Sequence, residues 1–306
     1  MNGLAWTAQY VQILGVLLPV FVCAGIGVAW ALKKLHYPNE FISVLVTSVT
    51  TPALVFHTIL TTELHDTMLL QILSATFTGI FAMACVAAVL LFALRLPVAS
   101  LLPTATFPNG GNLGLPISYF TFGDIGLAVA VSVFAILSLT QHTLGVGILT
   151  WSGRAQGSAK RKWPVGMAIS CGAAVTLRLL DVQLPKPVLA SAQLVGSVTV
   201  PLMLISLGYA LATVSRTSLG AGSLVGGIRL VAGLAGAFVV IHLMDLPVLV
   251  SSAVALQLLM PVAVVSYLYS ERFTNVGAVS AGAVLVSTGV FFVMSPLVIA
   301  WMSARL

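Results

Sequence analysis

Charge is the first thing this sequence lacks. Its 306 residues include 13 Lys and Arg and 7 Asp and Glu, 7% of the chain, against about a quarter in an ordinary soluble protein. Hydrophobic residues make up 59%, and the mean hydropathy is +1.11. Too few polar side chains exist to cover a water-facing surface, so soluble domains are excluded and the chain reads as an integral membrane protein. Its apolar stretches are continuous rather than alternating, which excludes a transmembrane β-barrel. Cysteine is scarce too: Cys23, Cys85 and Cys171 lie inside apolar runs without CxxC spacing, so they read as packing residues rather than disulfide or metal partners. The apolar runs contain no HExxH, no GxSxG and no pair of aspartates, which argues against an intramembrane enzyme.

What is present is length without charge. Runs at 1–32, 41–62, 67–94, 96–123, 125–153, 187–215, 246–270 and 273–304 carry no Lys, Arg, Asp or Glu, and each reaches the roughly 20 residues that cross about 30 Å of hydrocarbon as a helix. Two shorter runs, 163–177 and 230–244, become spans if Arg178 and Arg229 sit near their ends and snorkel to the interface. The predicted fold class is an all-α polytopic membrane protein of ten transmembrane helices. No basic residue precedes the first apolar run, so that run is expected to be a retained first helix rather than a signal peptide.

Basic residues then set the orientation. Loops after odd spans hold Lys33, Lys34, Arg95, Arg154, Lys160, Arg161, Lys162, Arg216 and Arg272, with Arg229 expected at the start of span 8 on the same side. Loops after even spans and the C-terminus hold only Lys186 and Arg305, with Arg178 assigned to neither side. By the positive-inside rule the first set is cytoplasmic and both termini lie outside. The basic charge is thus accounted for by topology, and no nucleic-acid partner is expected. The partner to be expected is the lipid bilayer.

The most polar stretch, 152–164, reads as a cytoplasmic linker between a first half at 1–151 and a second at 165–306. Halves with an odd number of spans sit upside down relative to each other, and the sequence carries matching echoes. Thr50-Thr51-Pro52 in span 2 answers Thr199-Val200-Pro201 in span 7, and Pro108 and Pro116 in span 4 answer Pro261 in span 9. Ordered prolines of this kind point to an inverted repeat.

The least helical segment inside any span is Thr104-Ala-Thr-Phe-Pro108-Asn109-Gly110-Gly111-Asn112-Leu-Gly114-Leu-Pro116. Two prolines and three glycines within nine residues would cost a continuous helix several kcal/mol. A break is therefore expected, and open backbone at membrane depth is tolerated only when buried in protein or lining a polar cavity. Asn109 and Asn112 supply amides, and a half-helix starting near Pro116 would present unpaired N–H groups suited to an anion. The rival reading is a GxxxG packing face formed by Gly110 and Gly114.

This segment, followed by Phe122-Gly123, resembles the fourth-helix signature of the auxin efflux carrier family, which includes plant carriers and bacterial organic-acid permeases. Leu259-Met260-Pro261-Val262-Ala263 followed by Glu271-Arg272-Phe273 resembles that family's second signature, and Val200-Pro201-Leu202 through Ser206-Leu207-Gly208 resembles a third. The resemblance implies two inverted five-helix repeats of sodium/proton-antiporter type. Helices 1, 2, 6 and 7 would form a scaffold that pairs into a homodimer, and helices 3–5 and 8–10 a mobile core. Broken helices 4 and 9 would cross at Pro108, Pro116 and Pro261. The implied substrate is a small organic anion, a mono- or dicarboxylate, bound by Asn109, Gly110, Gly111, Asn112, Pro116, Pro261, Val262, Ala263 and Ser266 and carried by an elevator-type movement. Family members often carry an asparagine after the Met-Pro of helix 9. Here Val262-Ala263-Val264-Val265 follows, so that side of the site is expected to be more apolar.

His57 and His142 titrate near neutrality in their ordinary state and are candidates for a proton-coupled cycle, while Glu271 is a candidate gate. No Asp or Glu falls at mid-membrane, so no cofactor and no carboxylate-held ion is expected. Sodium at the broken helices or proton coupling remain as alternatives, as does a ligand sensor built on a transporter-like core. With the interior nearly uncharged, the counter-charge for an anion is expected from helix N-termini and asparagines rather than from an arginine.

Overall fold

A computed structural model describes residues 18, 21–61, 66–155, 165–213 and 216–305. The first part of span 1, Glu63 and the basic stretch 156–164 fall outside the described residues. Those described are helical throughout, joined by short turns: α1 (Phe21–Leu32), α2 (Asn39–Leu45), α3 (Thr51–Thr61), α4 (Asp66–Ala93), α5 (Val98–Thr106), α6 (Leu115–Thr140), α7 (Val146–Ala155), α8 (Val165–Leu179), α9 (Lys186–Ser197), α10 (Thr199–Thr213), α11 (Arg216–Leu243), α12 (Val248–Leu259), α13 (Val264–Phe273) and α14 (Gly277–Ser303). Widened π turns at Val46–Thr50, Gly110–Gly114 and Gln141–Gly145 join α2 to α3, lead into α6 and join α6 to α7. Among the described residues, five stretches are long and apolar enough to cross a bilayer: Thr67–Ala93, Ile125–Gly153, Lys186–Ser206, Leu219–Leu243 and Gly277–Met302. The protein is therefore a polytopic helical membrane protein.

Chain reversals follow local chemistry. After α1, α4 and α8 the chain turns at Lys34, Arg95 and Asp181, each with a positive φ of 50–55°. Each turn carries the same pair of bonds: Leu35 N–H to Trp30 O with Lys34 N–H to Ala31 O, Leu96 to Leu91 with Arg95 to Phe92, and Val182 to Leu177 with Asp181 to Arg178. These are Schellman ends, which satisfy the last helical carbonyls. Inside α6, Gly123 (φ 68°, ψ −156°) turns the chain between spans 4 and 5 in a conformation that glycine alone takes readily. Prolines start the next helices: Pro97, Pro185 and Pro247 cap α5, α9 and α12, where a missing N–H costs nothing.

Two packing groups emerge. In one, α3 packs on α8 and α9, and α9 leads into α10. Here α1 and α10 meet backbone to backbone, since a Cβ on Gly208 would strike the Ala24 carbonyl and one on Gly27 the Ile205 carbonyl. In the other, α11 packs on α4, α5, α12 and α14, while α12 also packs on α6 and α13 on α14. Close approach depends on small residues here as well: Gly222 lies against Gly282, and Gly236 against Gly79 and Met83. With lipid outside as apolar as the interior, such contacts rather than water exclusion hold helices together. Burial is deepest in the broken pair. From Val250 to Ser270 every residue except Leu259 is buried, whereas α4 and α14 leave one side outward-facing.

One expectation is corrected. Arg229 does not begin span 8 at the interface; it is the fourteenth residue of the 28-residue α11 and is fully buried. Charge counting placed it at an end because a mid-membrane guanidinium is costly, but the tertiary structure supplies it with carbonyl partners.

Replacing Gly208 by Val should separate α1 from α10 and cost about 1–3 kcal/mol, the usual penalty of overpacking. Thermal unfolding in detergent should show this, with Gly25→Ala, whose added methyl meets nothing, as the unperturbed control.

Candidate functional site

The centre of the second packing group is a crossing of two interrupted helices. After α5, Phe107 turns extended (φ −82°, ψ 124°); after α12, Met260 does the same (φ −55°, ψ 150°). The two extended links pair antiparallel at Pro108 and Val262. Asn109 N–H donates to Pro261 O at 2.8 Å and Ala263 N–H to Phe107 O at 3.0 Å. The facing residues Pro108 and Val262 therefore form the non-hydrogen-bonded type of pair, in which the missing N–H of Pro108 is not needed. Val262 N–H instead reaches Ser287 Oγ on α14 at 3.0 Å. Asn109 (φ −78°, ψ 59°) makes a tight inverse γ-turn, with Gly110 N–H donating to Pro108 O at 2.9 Å. The two links thus re-pair each other's opened backbone, as its burial requires.

The helix resumes earlier than the sequence suggests. It restarts at Gly110 with the π turn Gly110–Gly114, and Pro116 falls second in α6 rather than at the restart. Gly114 N–H reaches back to Asn109 O, and Leu115 N–H to Gly110 O. The wider turn leaves room for the proline ring that a regular α turn would crowd. The glycines admit a neighbour: a Cβ at Gly110 or Gly114 would collide with Gln257 of α12, whose Nε2 donates to Ser118 Oγ at 3.1 Å. Gly110 and Gly114 do serve close packing, then, but against a glutamine side chain inside a broken helix.

A cavity of about 30 Å³ lies where the crossing meets the first packing group. One wall is the restart Pro108–Asn112; a second is Ala263–Val265 at the start of α13; α3 and α10 add Thr51, Leu54, Thr199 and Met203; α6 and the π turn after it add Phe134, Ser138, Gln141 and His142. Both helix N-termini, with their first-turn N–H groups, therefore face one space. Asn109 precedes the restarting helix yet makes no side-chain capping bond. Three further polar atoms on the lining residues are buried without a partner: Thr51 Oγ1, Thr199 Oγ1 and His142 Nε2. Leaving such a group unpaired costs about 1–3 kcal/mol, so the walls favour a polar occupant.

His142 is oriented by its other nitrogen. Nδ1 lies 2.6 Å from the Ser138 carbonyl, which can only accept, so Nδ1 carries hydrogen and the neutral ring leaves Nε2 as a buried acceptor without a partner. Tyr269 packs edge-on against the ring at 5.4 Å. Opposite the asparagines the surface is apolar: Ala263 stands before α13 where Asn109 stands before the other restart.

Of the residues singled out in the sequence, Asn109, Gly110, Gly111, Asn112, Ala263 and His142 line the cavity, and Pro108, Pro261 and Val262 form the crossing. Ser266 is engaged by Gln141 Nε2 at 2.8 Å. Neither His57 nor Glu271 lines the cavity; Glu271 is exposed near the end of α13 beside Gly277. Sequence reasoning missed Gln257, Gln141 and Arg229, and used Thr51 and Thr199 only as marks of repetition. Arg229 Nη2 donates to Leu258 O at 2.6 Å and to Met260 O at 2.8 Å, at the C-terminal end of α12. A guanidinium therefore sits directly behind the crossing, bonded to backbone carbonyls.

Residues 12–161 match the family described as membrane transport protein. No curated protein matches the chain.

Gly114→Ala should displace Gln257 from Ser118 and lower thermal stability, and Gln257→Ala in the same chain should restore much of the loss. Non-additivity of at least about 0.5 kcal/mol in a double-mutant cycle would establish the contact.

Proposed function

We propose that this chain, a member of the auxin efflux carrier-type membrane transport family, is a secondary carrier of a small organic anion bound at the helix crossing. The observation that carries this reading is the cavity itself, where two helix N-termini, two asparagines and two unpartnered threonine hydroxyls meet. N-terminal amides and hydroxyl donors stabilise a carboxylate without a facing side-chain cation. The apolar wall Ala263–Val265 lies on the other side, which favours a monocarboxylate with an apolar body over a dicarboxylate. No chemical step is required.

The cavity's size supports alternating access. About 30 Å³ is far below the roughly 300–1,000 Å³ of an open small-molecule pocket. A substrate must therefore part the walls, and those walls belong to two packing groups. Movement of the crossing and its neighbours past α3 and α10 would open the site to one side and then the other, the elevator cycle. Internal echoes support the two inverted repeats this cycle uses: Lys34 and Asp181 end α1 and α8 in the same turn, and Pro97 and Pro247 start the two helices that break.

Proton coupling is favoured by the orientation of His142. As a neutral ring it leaves an unpartnered acceptor in the cavity wall, which repels a carboxylate; once protonated it offers a donor. Tyr269 is the titratable side chain packed against it among the described residues. Anion and proton would then enter together.

In proteoliposomes, Asn109→Ala should lower monocarboxylate uptake at least about tenfold, the loss of one charge-assisted hydrogen bond of about 1.5–3 kcal/mol, and uptake equal to wild type would overturn the site. Counterflow exchange should be seen, since a pore shows none. His142→Gln should flatten the rise of uptake with falling pH; an unchanged profile would remove the histidine from the cycle.

A further inference from the structure

Arg229 is not explained by its two carbonyl bonds alone. It lies in the middle of α11 with no solvent exposure, and a guanidinium keeps its proton at any ordinary pH. One nitrogen, Nη2, makes both bonds, to Leu258 O and Met260 O, while Nε and Nη1 have no partner. Gly233, one turn on, leaves the space that Nη1 occupies, since a Cβ there would stand 2.9 Å from it. The acidic residues whose side chains are described, Asp181, Asp245 and Glu271, are all exposed and do not offset the charge. Among the described side chains the cation is thus uncompensated at the core of a membrane protein, where such a residue is costly and marks function.

Its position defines what it does to the cavity. The C-terminal end of α12 carries a partial negative charge, and Arg229 sits on it. The opposite helix ends, the restart at Gly110 and the start of α13, point their positive ends at the cavity. With one negative end cancelled, the positive ends dominate, and the guanidinium adds its own field through the thickness of the paired links. Low polarisability around a buried group lets that field act over such a distance.

We propose that Arg229 is the fixed counter-charge of the substrate site, setting its selectivity for anions over neutral analogues from behind the crossing without touching the substrate. This rests on the anion-carrier reading above. It also fills the place at the Leu258 and Met260 carbonyls where a coupling cation would bind, so anion binding requires no sodium there.

The test compares hexanoate, a monocarboxylate with an apolar body, with its uncharged amide hexanamide, by KM for uptake and by thermal shift, in the wild type, Arg229→Gln and Arg229→Lys. In the wild type the carboxylate should be preferred, and exchanging sodium for potassium should leave its binding unchanged. Arg229→Lys keeps the charge and should keep most of the preference. Arg229→Gln keeps a donor but loses the charge, and should reduce the preference by about tenfold or more, through the carboxylate's KM and not the amide's. A folded Arg229→Gln with wild-type preference, or an Arg229→Lys that loses it, would overturn the role of the charge, and the second result is available even if the glutamine variant does not fold. Sodium-dependent binding would overturn the claim on the carbonyl site. A wild type that takes neither compound would instead count against the anion-carrier reading.

Discussion

The pairing of Pro108 with Val262 is the contact on which the rest of this molecule depends. Two helices cannot both be interrupted inside a membrane unless the backbone they open is paired again, and here each interruption answers the other through Asn109 N–H to Pro261 O and Ala263 N–H to Phe107 O. The proline that breaks the first helix sits at the one type of antiparallel position that asks nothing of its nitrogen. What remains unpaired by the bridge is met from outside it: Val262 N–H by Ser287, and the carbonyls of Leu258 and Met260 by Arg229.

Much of the surrounding architecture follows from bringing α11, α14, α4 and α6 close enough to do this. Glycines at 79, 222, 233 and 236 remove side chains where α11 meets its neighbours, and Gly110 and Gly114 make room for Gln257. These positions serve packing and the site together, because a helix that must present Arg229 to another helix's terminal carbonyls has to lie nearly in backbone contact with it. The cavity then forms at the boundary between this tightly held group and α3 and α10, whose Thr51 and Thr199 face the crossing with hydroxyls that have no partner of their own.

The break itself was legible. Prolines and glycines between 108 and 116 cannot continue a helix, and polar amides among them have only an interior to face. Thr51-Pro52 and Thr199-Val200-Pro201 stood out in the sequence as matching marks, but the place of Thr51 and Thr199 in the cavity wall was not legible, because nothing local says which side of a helix meets another 150 residues away. Arg229 was misread for a physical reason: a lone basic residue beside a short apolar run is most cheaply placed at an interface, and only distant carbonyls at 258 and 260 reverse that cost. The restart at Gly110 rather than Pro116 was hidden as well, since a widened turn absorbs the proline that a regular helix would reject.

By itself the sequence determined what local chemistry and composition control: a membrane-embedded helical chain, its apolar stretches, the interruption at 108–116 and a likeness over residues 12–161 to a family of transport proteins. Only the tertiary structure decided that two interruptions meet and pair, that both restarting helices aim their first turns into one cavity, and that a buried arginine stands behind them. Those outcomes depend on hydrogen bonds and charge placement between residues far apart in the chain, where the energy of each group is set by its partner rather than by its neighbours in sequence.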